Sequence, residues 1–292
     1  DGQTFIQPSA LGLVTNIGDF SRDLILKGVT VNEVKDEYVL RNIKQSHVSY
    51  EACEAVAHFE QNGHPVMDVT FRVSNRDVAL RYTVLPKKTR SDEILSCVVN
   101  EEKTAFKLPA DATSFLAPQS KPMTGFARTA PSYETRYGID EPVGKNGWGN
   151  GYTFPCLFKE QGGWVMISET GTDGNYVGCR LLGEADGLYK IGFPQADELN
   201  GWGSTTVQMA LPGTTPWRTI TVGTMKDIIE TTVAWDVVQP KYKASREYEY
   251  GKGSWSWIIG MDASCNFDEQ KRYIDFSAAM GYRSVLVDAL WD

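Results

Sequence analysis

The sequence predicts a mainly β protein, in which a large antiparallel sandwich or barrel precedes a helical segment and one short βαβ unit. Three observations predict this class. Apolar and polar residues alternate with a period of two in stretches of the first roughly 220 residues. Gly, Pro, Asn and Asp separate these stretches, as in sandwiches and barrels built from many short strands. Near residue 224 the alternation gives way to helical and buried-strand patterns.

The clearest hairpin spans residues 64–84. In residues 64–73 and again in residues 80–84, apolar side chains alternate with polar ones, which is typical of half-buried antiparallel strands. The segment 74–77, Ser-Asn-Arg-Asp, has the composition of a turn. Similar short strands are expected at Trp164–Ser168, Leu188–Phe193, Thr206–Leu211 and Thr219–Val222.

A helix is expected from Thr224 to about Trp235. Thr224 followed by Asp227 has the spacing of an N-cap residue with an acidic residue at the third helical position. The polar segment 241–252 then reads as a linker. The predicted organisation is a β domain over residues 1–223, a helix and linker over 224–252, and the start of a second domain over 253–292.

The last 40 residues combine two apolar strands with a helix. Strands are expected at Ser254–Ile259 and Arg283–Asp288, and two strands joined by a helix within so short a segment predict a right-handed, parallel βαβ unit. A parallel pair needs cover on both faces. We therefore expect this unit to be the front part of a longer (β/α) domain, rather than an unusual structure complete in itself.

The intervening helix has both of its ends marked in the sequence. Asn266 or Asp268 is expected to cap its N-terminus, and Gly281 to follow its C-terminus. Its inner face is predicted to comprise Tyr273, Ile274 and Phe276–Met280.

Composition and charge exclude several classes of function. The formal net charge of −8, without a cluster of Lys or Arg, disfavours nucleic acid and anionic membrane as partners. The sequence contains no run of about 18 apolar residues, so no membrane-spanning helix is predicted. With three histidines and five scattered cysteines, no spacing indicates a zinc site or a catalytic triad. The 33 aromatic residues suit either a sandwich core or a surface that stacks on sugar rings.

The strongest candidate site lies at the carboxyl ends of the two parallel strands. In (β/α)8 barrels these ends and the following loops form the active site. The residues there are Trp255, Trp257 and Asp262 after the first strand, and Asp288 and Trp291 after the second. A carboxylate beside indole rings suits a sugar, because the carboxylate accepts hydrogen bonds from hydroxyl groups and the indole covers the apolar ring face. We predict that Asp288, Trp291, Trp257 and Trp255 bind substrate; packing of either first-strand tryptophan beneath the sandwich is the alternative.

A second candidate is Glu169, which follows a hydrophobic strand and enters a loop rich in Gly, Asp and Asn. Oxygen ligands on a loop suit Ca²⁺, although the loop is not an EF-hand and a polar turn would have the same composition.

Segments along nearly the whole chain resemble glycoside hydrolase family 97. They are Pro8–Gly12, Phe71–Tyr82, Tyr152–Pro155, Trp164–Glu169, Thr215–Arg218, Ser254–Trp257 and, together, Tyr273–Phe276 and Val285–Asp288 with Trp291. The resemblance implies an N-terminal β-supersandwich, a helical linker and a catalytic (β/α)8 barrel, of which this chain contains the first βαβ unit. It also implies that the catalytic carboxylates lie on later barrel strands, beyond Asp292.

The same resemblance implies a calcium ion near the sugar site, with Glu169 as a ligand. The family places Ala directly after this glutamate and Tyr a few residues later, whereas Thr170 follows here and Tyr176 comes after a glycine-rich loop. Periplasmic or secreted localisation is expected as well, since such enzymes are common in periplasmic glycan degradation.

The expected function is therefore that of part of a glycosidase acting on terminal α-linked galactose or glucose, with an oligosaccharide or glycoside substrate and the rest of the barrel as partners. This fragment alone is expected to be inactive. Two alternatives remain: a non-catalytic carbohydrate-binding sandwich, and a structural module that supports an oligomer.

Overall fold

The computed structural model describes residues 2–41, 43–121, 136–242 and 244–288, with the backbone alone for residues 199 and 200. The chain divides into two compact units, Asp1–Gln239 and Pro240–Asp292. In the described residues, no helix is long and apolar enough to cross a membrane. Each unit is described separately below.

The first unit consists mainly of strands. They are β1 (Leu13–Thr15), β2 (Gly18–Phe20), β3 (Ile25–Val39), β4 (His47–Gln61), β5 (His64–Val73), β6 (Asp77–Val84), β7 (Lys87–Lys88), β8 (Glu93–Ile94), β9 (Ser96–Glu102), β10 (Ala105–Lys107), β11 (Thr113–Pro118), β12 (Glu141–Pro142), β13 (Tyr152–Glu160), β14 (Gly163–Thr170), β15 (Arg180–Glu184), β16 (Leu188–Gly192), β17 (Val207–Ala210), β18 (Gly213–Thr214) and β19 (Trp217–Gly223). Short 3-10 turns occur at Ala185–Gly187 and Glu198–Gly201.

These strands form two antiparallel sheets and a small β7–β8 hairpin. Over the described residues, the smaller sheet has the order β17-β9-β1-β2. The larger has the order β10-β16-β15-β13-β14-β19-β6-β5-β4-β3, with β11, β12 and β18 paired at its side. The predicted mainly β class with large antiparallel sheets is therefore confirmed.

The predicted strands are observed with small shifts at their ends. The hairpin over residues 64–84 is β5–β6, with Val73 opposite Val78, and the Ser74 amide donates to the Asp77 carbonyl across the turn. The other four predicted strands correspond to β14, β16, β17 and β19, with each end within two residues of its expected position. Local alternation and turn composition were thus sufficient to find them.

Two apolar clusters fill the sandwich. One lies between the smaller sheet and β5–β6, and its buried members include Leu13, Phe20, Val69, Tyr82 and Val99. The other is formed by strands β10 and β13–β16 of the larger sheet and includes Phe106, Phe158, Ile167, Leu181 and Tyr189. Cys179 and Phe193 pack against both clusters. Any polar side chain between these clusters is consequently removed from water.

The predicted helix after Thr224 is observed as two short helices, α1 (Met225–Glu230) and α2 (Val233–Asp236). Thr224 and Asp227 form a reciprocal capping box at the start of α1, as predicted. Thr231 and Thr232 interrupt the helix, and Thr232 donates to Asp236. Because α2 buries Val233 and Val237 against Trp217, this segment packs on the larger sheet. The predicted domain boundaries after residues 223 and 252 stay predictions.

The second unit contains β20 (Gly253–Trp255), α3 (Trp257–Gly260), a 3-10 turn (Met261–Ser264), α4 (Phe267–Ala279) and β21 (Ser284–Leu286). Strands β20 and β21 are parallel, with Ser254 opposite Val285. The predicted βαβ order is therefore present. The first strand, however, ends at Trp255 and not at Ile259 as predicted, because the backbone turns into helical geometry at Ser256.

Helix α4 begins and ends where the sequence indicates. Asn266 accepts a hydrogen bond from the Glu269 amide. Gly281 adopts a φ of 66°, and the Tyr282 amide donates to the Ser277 carbonyl, which is a Schellman ending. The predicted inner face is wrong for Ile274, Phe276 and Met280, which are about half exposed (50%, 49% and 56%). The buried side chains of α4 are Ser277, which lies within the predicted face, and Gln270, which does not; they bond to Ser254 and Ser256, respectively.

Candidate functional site

The carboxyl ends of the parallel strands bring an indole and a carboxylate together. Trp255 is the last residue of β20, and Asp288 follows β21. The Trp255 Nε1 group donates a hydrogen bond to Asp288 Oδ2 at 2.8 Å. Trp255 keeps 37% of its surface exposed, and Asp288 is partly exposed. Two of the residues predicted to bind substrate are therefore in direct contact at the predicted end of the strands.

A second tryptophan joins them because of the backbone turn at Ser256. Neighbouring residues of a strand point to opposite faces, which would separate Trp255 from Trp257. Ser256, however, has helical φ and ψ, and its buried hydroxyl accepts hydrogen bonds from Ser264 and Gln270. The rings of Trp255 and Trp257 consequently stack, with centroids 6.0 Å apart and an interplanar angle of 17°.

Trp257 also has its own carboxylate. Its Nε1 group donates to Asp262 Oδ1 at 2.9 Å. Trp255, Trp257, Asp262 and Asp288 are hereafter called the indole–carboxylate cluster. The remaining predicted substrate-binding residue, Trp291, lies outside the described residues. The arrangement offers stacked aromatic surface beside two hydrogen-bond-accepting carboxylates, which is suited to a polyhydroxylated ring and contains no nucleophile–base pair.

Glu169 lies in the first unit, inside the sandwich. It is on β14, where its Cα is opposite that of Arg218 on β19. Glu169 Oε1 accepts from the Cys179 amide at 2.9 Å, and Oε2 accepts from Arg218 Nη1. Arg218 also donates to both oxygens of Glu102, from Nε at 2.9 Å and from Nη2 at 2.6 Å. Glu102, Glu169 and Arg218 form what we call the Arg218 network.

The Arg218 network is almost completely buried. The side chains of Arg218 and Glu102 are 0% exposed, and that of Glu169 is 13% exposed. Burial would lower the pKa of Arg218, but the two carboxylates outweigh it and raise the pKa well above its usual value. Burial raises the pKa of Glu169, while Arg218 and the Cys179 amide oppose that shift. Arg218 is therefore permanently charged and balances one of the two acidic groups.

The sequence did not reveal the role of Glu102. It follows Glu101 and precedes Lys103, so the local pattern resembles an exposed charged segment. Only its position on the inner side of β9 buries it, and Tyr176 adds a hydrogen bond to its Oε2 at 3.2 Å. Arg218 belongs to a segment that carried the family resemblance, Thr215–Arg218, and that was the one available signal.

The described residues do not by themselves fit a calcium site. Both oxygens of Glu169 already accept hydrogen bonds, one of them from a cation. In the ranges that the structure describes, no group of three or more His, Cys, Asp or Glu side chains is placed to hold a metal ion. Calcium generally requires six to eight oxygen ligands. The prediction that Glu169 is a calcium ligand stays a prediction.

Solved structures of known proteins match this chain over its whole length. A crystal structure of a beta-arabinopyranosidase matches with 48% sequence identity and a TM-score of 0.91, covering 100% of this chain and 46% of that chain. A glycoside hydrolase family 97 enzyme from Pseudoalteromonas sp. strain K8, solved in complex with acarbose, matches with 21% identity and a TM-score of 0.77. The match covers 100% of this chain and 44% of that enzyme.

A curated relative and a family model complete the comparison. The relative is a "Probable retaining alpha-galactosidase" from Streptomyces bingchenggensis (strain BCW-1), 32% identical over 99% of this chain and 42% of the relative. The chain thus spans less than half the length of these relatives. The family model described as Glycosyl-hydrolase 97 N-terminal matches residues 1–240. The chain therefore belongs to glycoside hydrolase family 97, as the resemblance in its sequence indicated.

Proposed function

We propose that this chain is the sandwich and the first barrel strands of an exo-acting glycosidase whose substrate is a terminal α-galactoside or β-arabinopyranoside. The observation that carries the proposal is the indole–carboxylate cluster at the carboxyl ends of β20 and β21. The names of the 48% and 32% identical relatives support these two sugars over glucose. L-Arabinopyranose has the ring stereochemistry of D-galactopyranose without the C6 group, so one cluster of ring contacts serves both.

Further (β/α) units of the longer protein are proposed to cover the second unit. Apolar side chains there are widely exposed, among them Ile259 (81%) and Phe267 (80%). Parallel strands occur almost entirely in sheets with both faces covered. The catalytic carboxylates are proposed to lie on those later units, where their separation would decide between inversion and retention. The name of the Streptomyces relative favours retention.

The test is hydrolysis by the full-length protein. Nitrophenyl α-galactoside, α-glucoside and β-L-arabinopyranoside are compared, and the ratio of the first to the third reports whether the site accepts the C6 group. Asp288→Asn keeps an acceptor for Trp255 but removes the charge, so we expect kcat/KM to fall by about 10- to 100-fold, the worth of a charged hydrogen bond. Asp275→Asn, on an exposed ion pair of α4, is the matched control and should change kcat/KM less than about twofold.

An unchanged kcat/KM for Asp288→Asn would exclude this residue from the substrate site. Glycan binding by the full-length protein without hydrolysis of any glycoside would instead indicate a non-catalytic binding sandwich.

Calcium binding and periplasmic or secreted localisation are proposed as well. Glu169 would supply one ligand, since the Arg218 network contains two carboxyl groups for one guanidinium and calcium prefers oxygen ligands. If calcium binds there, CaCl₂ should raise the Tm of the full-length protein relative to EDTA. Glu169→Gln should abolish that rise, whereas Glu184→Gln on the surface should not.

Periplasmic or secreted localisation is testable by cell fractionation.

A further inference from the structure

Strand β3 is a long edge of the larger sheet. It runs for 15 residues, from Ile25 to Val39, and lies at the end of the strand order with β4 as its neighbour in the described residues. Its backbone groups on the outer side therefore have no strand partner among the described residues. Several apolar side chains on it are more than half exposed: Ile25 (58%), Leu26 (53%), Val29 (52%), Val31 (61%) and Val39 (57%).

An edge of this kind is uncommon in proteins that remain monomeric. Proteins usually protect edge strands by keeping them short, by placing proline, charged residues or a bulge in them, or by covering them. In β3 the bulge is at Lys27 and four of the five charged residues lie from Glu33 onwards, so the segment from Gly28 to Asn32 has no charge. β3 contains no proline, and nine residues in succession from Ile25 are exposed. Exposed β-branched residues along such an edge favour pairing with another strand. The edge therefore has the properties of an interface.

A bulge limits which part of β3 can pair regularly. The register with β4 shifts between Leu26 and Gly28, so Lys27 is the extra residue. From Gly28 to Val39 the pairing with β4 is continuous. Over this segment the residues Val29, Val31, Glu33, Lys35, Glu37 and Val39 share one face, because side chains alternate along a strand.

We propose that β3 pairs in antiparallel fashion with β3 of a second copy of this chain, with Val34 opposite Val34 at the two-fold axis. In an antiparallel pair of identical strands related by a two-fold axis, one residue lies opposite its own copy at the axis. Every other residue lies opposite the residue that is equally far from the axis in the other direction along the strand. With Val34 at the axis, Glu33 is opposite Lys35 of the other copy, and Val29 is opposite Val39. Each of these pairs occurs twice.

Charge selects this register over its neighbour. Only a two-fold axis at Glu33 or at Val34 lets nearly all of the regular segment from Gly28 to Val39 pair between the two copies. An axis at Glu33 places two copies of that carboxylate directly opposite each other, which is unfavourable. An axis at Val34 replaces this repulsion by two Glu33–Lys35 pairs. Both side chains are exposed for such contacts, at 86% and 63%.

The test is a charge reversal with rescue, read by sedimentation velocity of the full-length protein from 0.1 to about 100 µM. Wild type should dimerise in this range. Glu33→Lys and Lys35→Glu should each raise the dimer Kd at least about tenfold, since each creates two like-charge pairs. The double variant carrying both changes restores opposite charges and should return the Kd to within about threefold of wild type.

A matched pair of reversals controls for net charge. Lys190→Glu and Glu184→Lys alter an exposed ion pair on β15–β16 and should leave the dimer Kd unchanged. Circular dichroism melting checks that every variant folds. A monomeric wild type at 100 µM, single reversals that do not weaken the dimer, or a double variant that does not recover would each overturn the proposal. Protection of β3 amides from hydrogen exchange should also increase with protein concentration.

Discussion

Replacing Arg218 by Met should destabilise the first unit by about 3–5 kcal/mol, the usual cost of removing one partner from a buried ion pair. Arg218 donates two hydrogen bonds to Glu102 and one to Glu169. Its removal leaves the carboxylates of these two residues without a counter-ion, and neither has access to bulk water comparable to a surface group. Methionine fills a similar volume, so lost packing contributes little to the expected effect.

The measurement must follow the first unit specifically. For a unit of about 240 residues, each kcal/mol lowers Tm by about 2–4 °C, so a decrease of about 6–20 °C is expected. Urea titration gives the free energy of unfolding, and hydrogen exchange at the amides of β14 and β19 shows whether the loss is in the sandwich. Arg22→Met, which breaks an ion pair whose Arg side chain is 73% exposed, is the control and should cost less than about 0.5 kcal/mol.

A compensated variant separates charge from geometry. Adding Glu102→Gln and Glu169→Gln to Arg218→Met removes both unpaired charges, and an uncharged set of similar volume is often close to neutral. We expect the triple variant to recover at least half of the lost stability. The reasoning would be refuted by a loss below about 1 kcal/mol in the single variant, or by a triple variant no more stable than the single one.

Two further predictions concern stability. Burial, and secondarily Asp111, raises the pKa of Glu160 from 4.5 to about 7, and its Oε1 is buried without a hydrogen bond from the described residues. The folded state then holds the proton more tightly than the unfolded state, so the free energy of unfolding falls as the pH rises from about 4.5 to 7. Glu160→Gln should therefore stabilise the protein by about 1 kcal/mol at pH 8, after allowance for partial solvent access. At pH 4 the same substitution should leave the free energy of unfolding unchanged; urea titrations at the two pH values measure both effects. Thr224→Ala removes the capping box of α1 and should cost about 1 kcal/mol, with faster hydrogen exchange at the Asp227 amide, whereas Thr172→Ala in a loop should have no such effect.

Features with local causes were predictable from the sequence, and features with tertiary causes were not. The β5–β6 turn, the Thr224 capping box and the Gly281 helix ending depend on residues adjacent in the chain, and all three are present. The stacking of Trp255 on Trp257 depends on Ser256, whose conformation is held by Ser264 and Gln270. No periodicity in residues 254–259 contains that information.

The apolar side of α4 was misassigned for a related reason. Hydrophobic periodicity assumes that the face packed on the strands is apolar. In this unit the Ser277 hydroxyl forms a hydrogen bond with the Ser254 hydroxyl, and the Gln270 side-chain amide donates one to the Ser256 hydroxyl. The inner face of α4 is therefore polar at both points. Ile274, Phe276 and Met280 are left about half exposed. Periodicity identified the helix correctly and placed Ser277 on its inner face, but it wrongly placed Ile274, Phe276 and Met280 there.

The two carboxylates chosen from the sequence are held by different donors, and the difference suits them to different tasks. Asp288 accepts from the Trp255 indole N–H, a donor without formal charge, in the part of the second unit that is partly exposed. Glu169 accepts from Arg218 in the interior, where the guanidinium neutralises it and the pair joins β14 to β19. Substitution of Asp288 should therefore change catalysis with little change in Tm, while substitution at Arg218 should change Tm first. The opposite pattern would mean that the indole–carboxylate cluster serves only to support the fold.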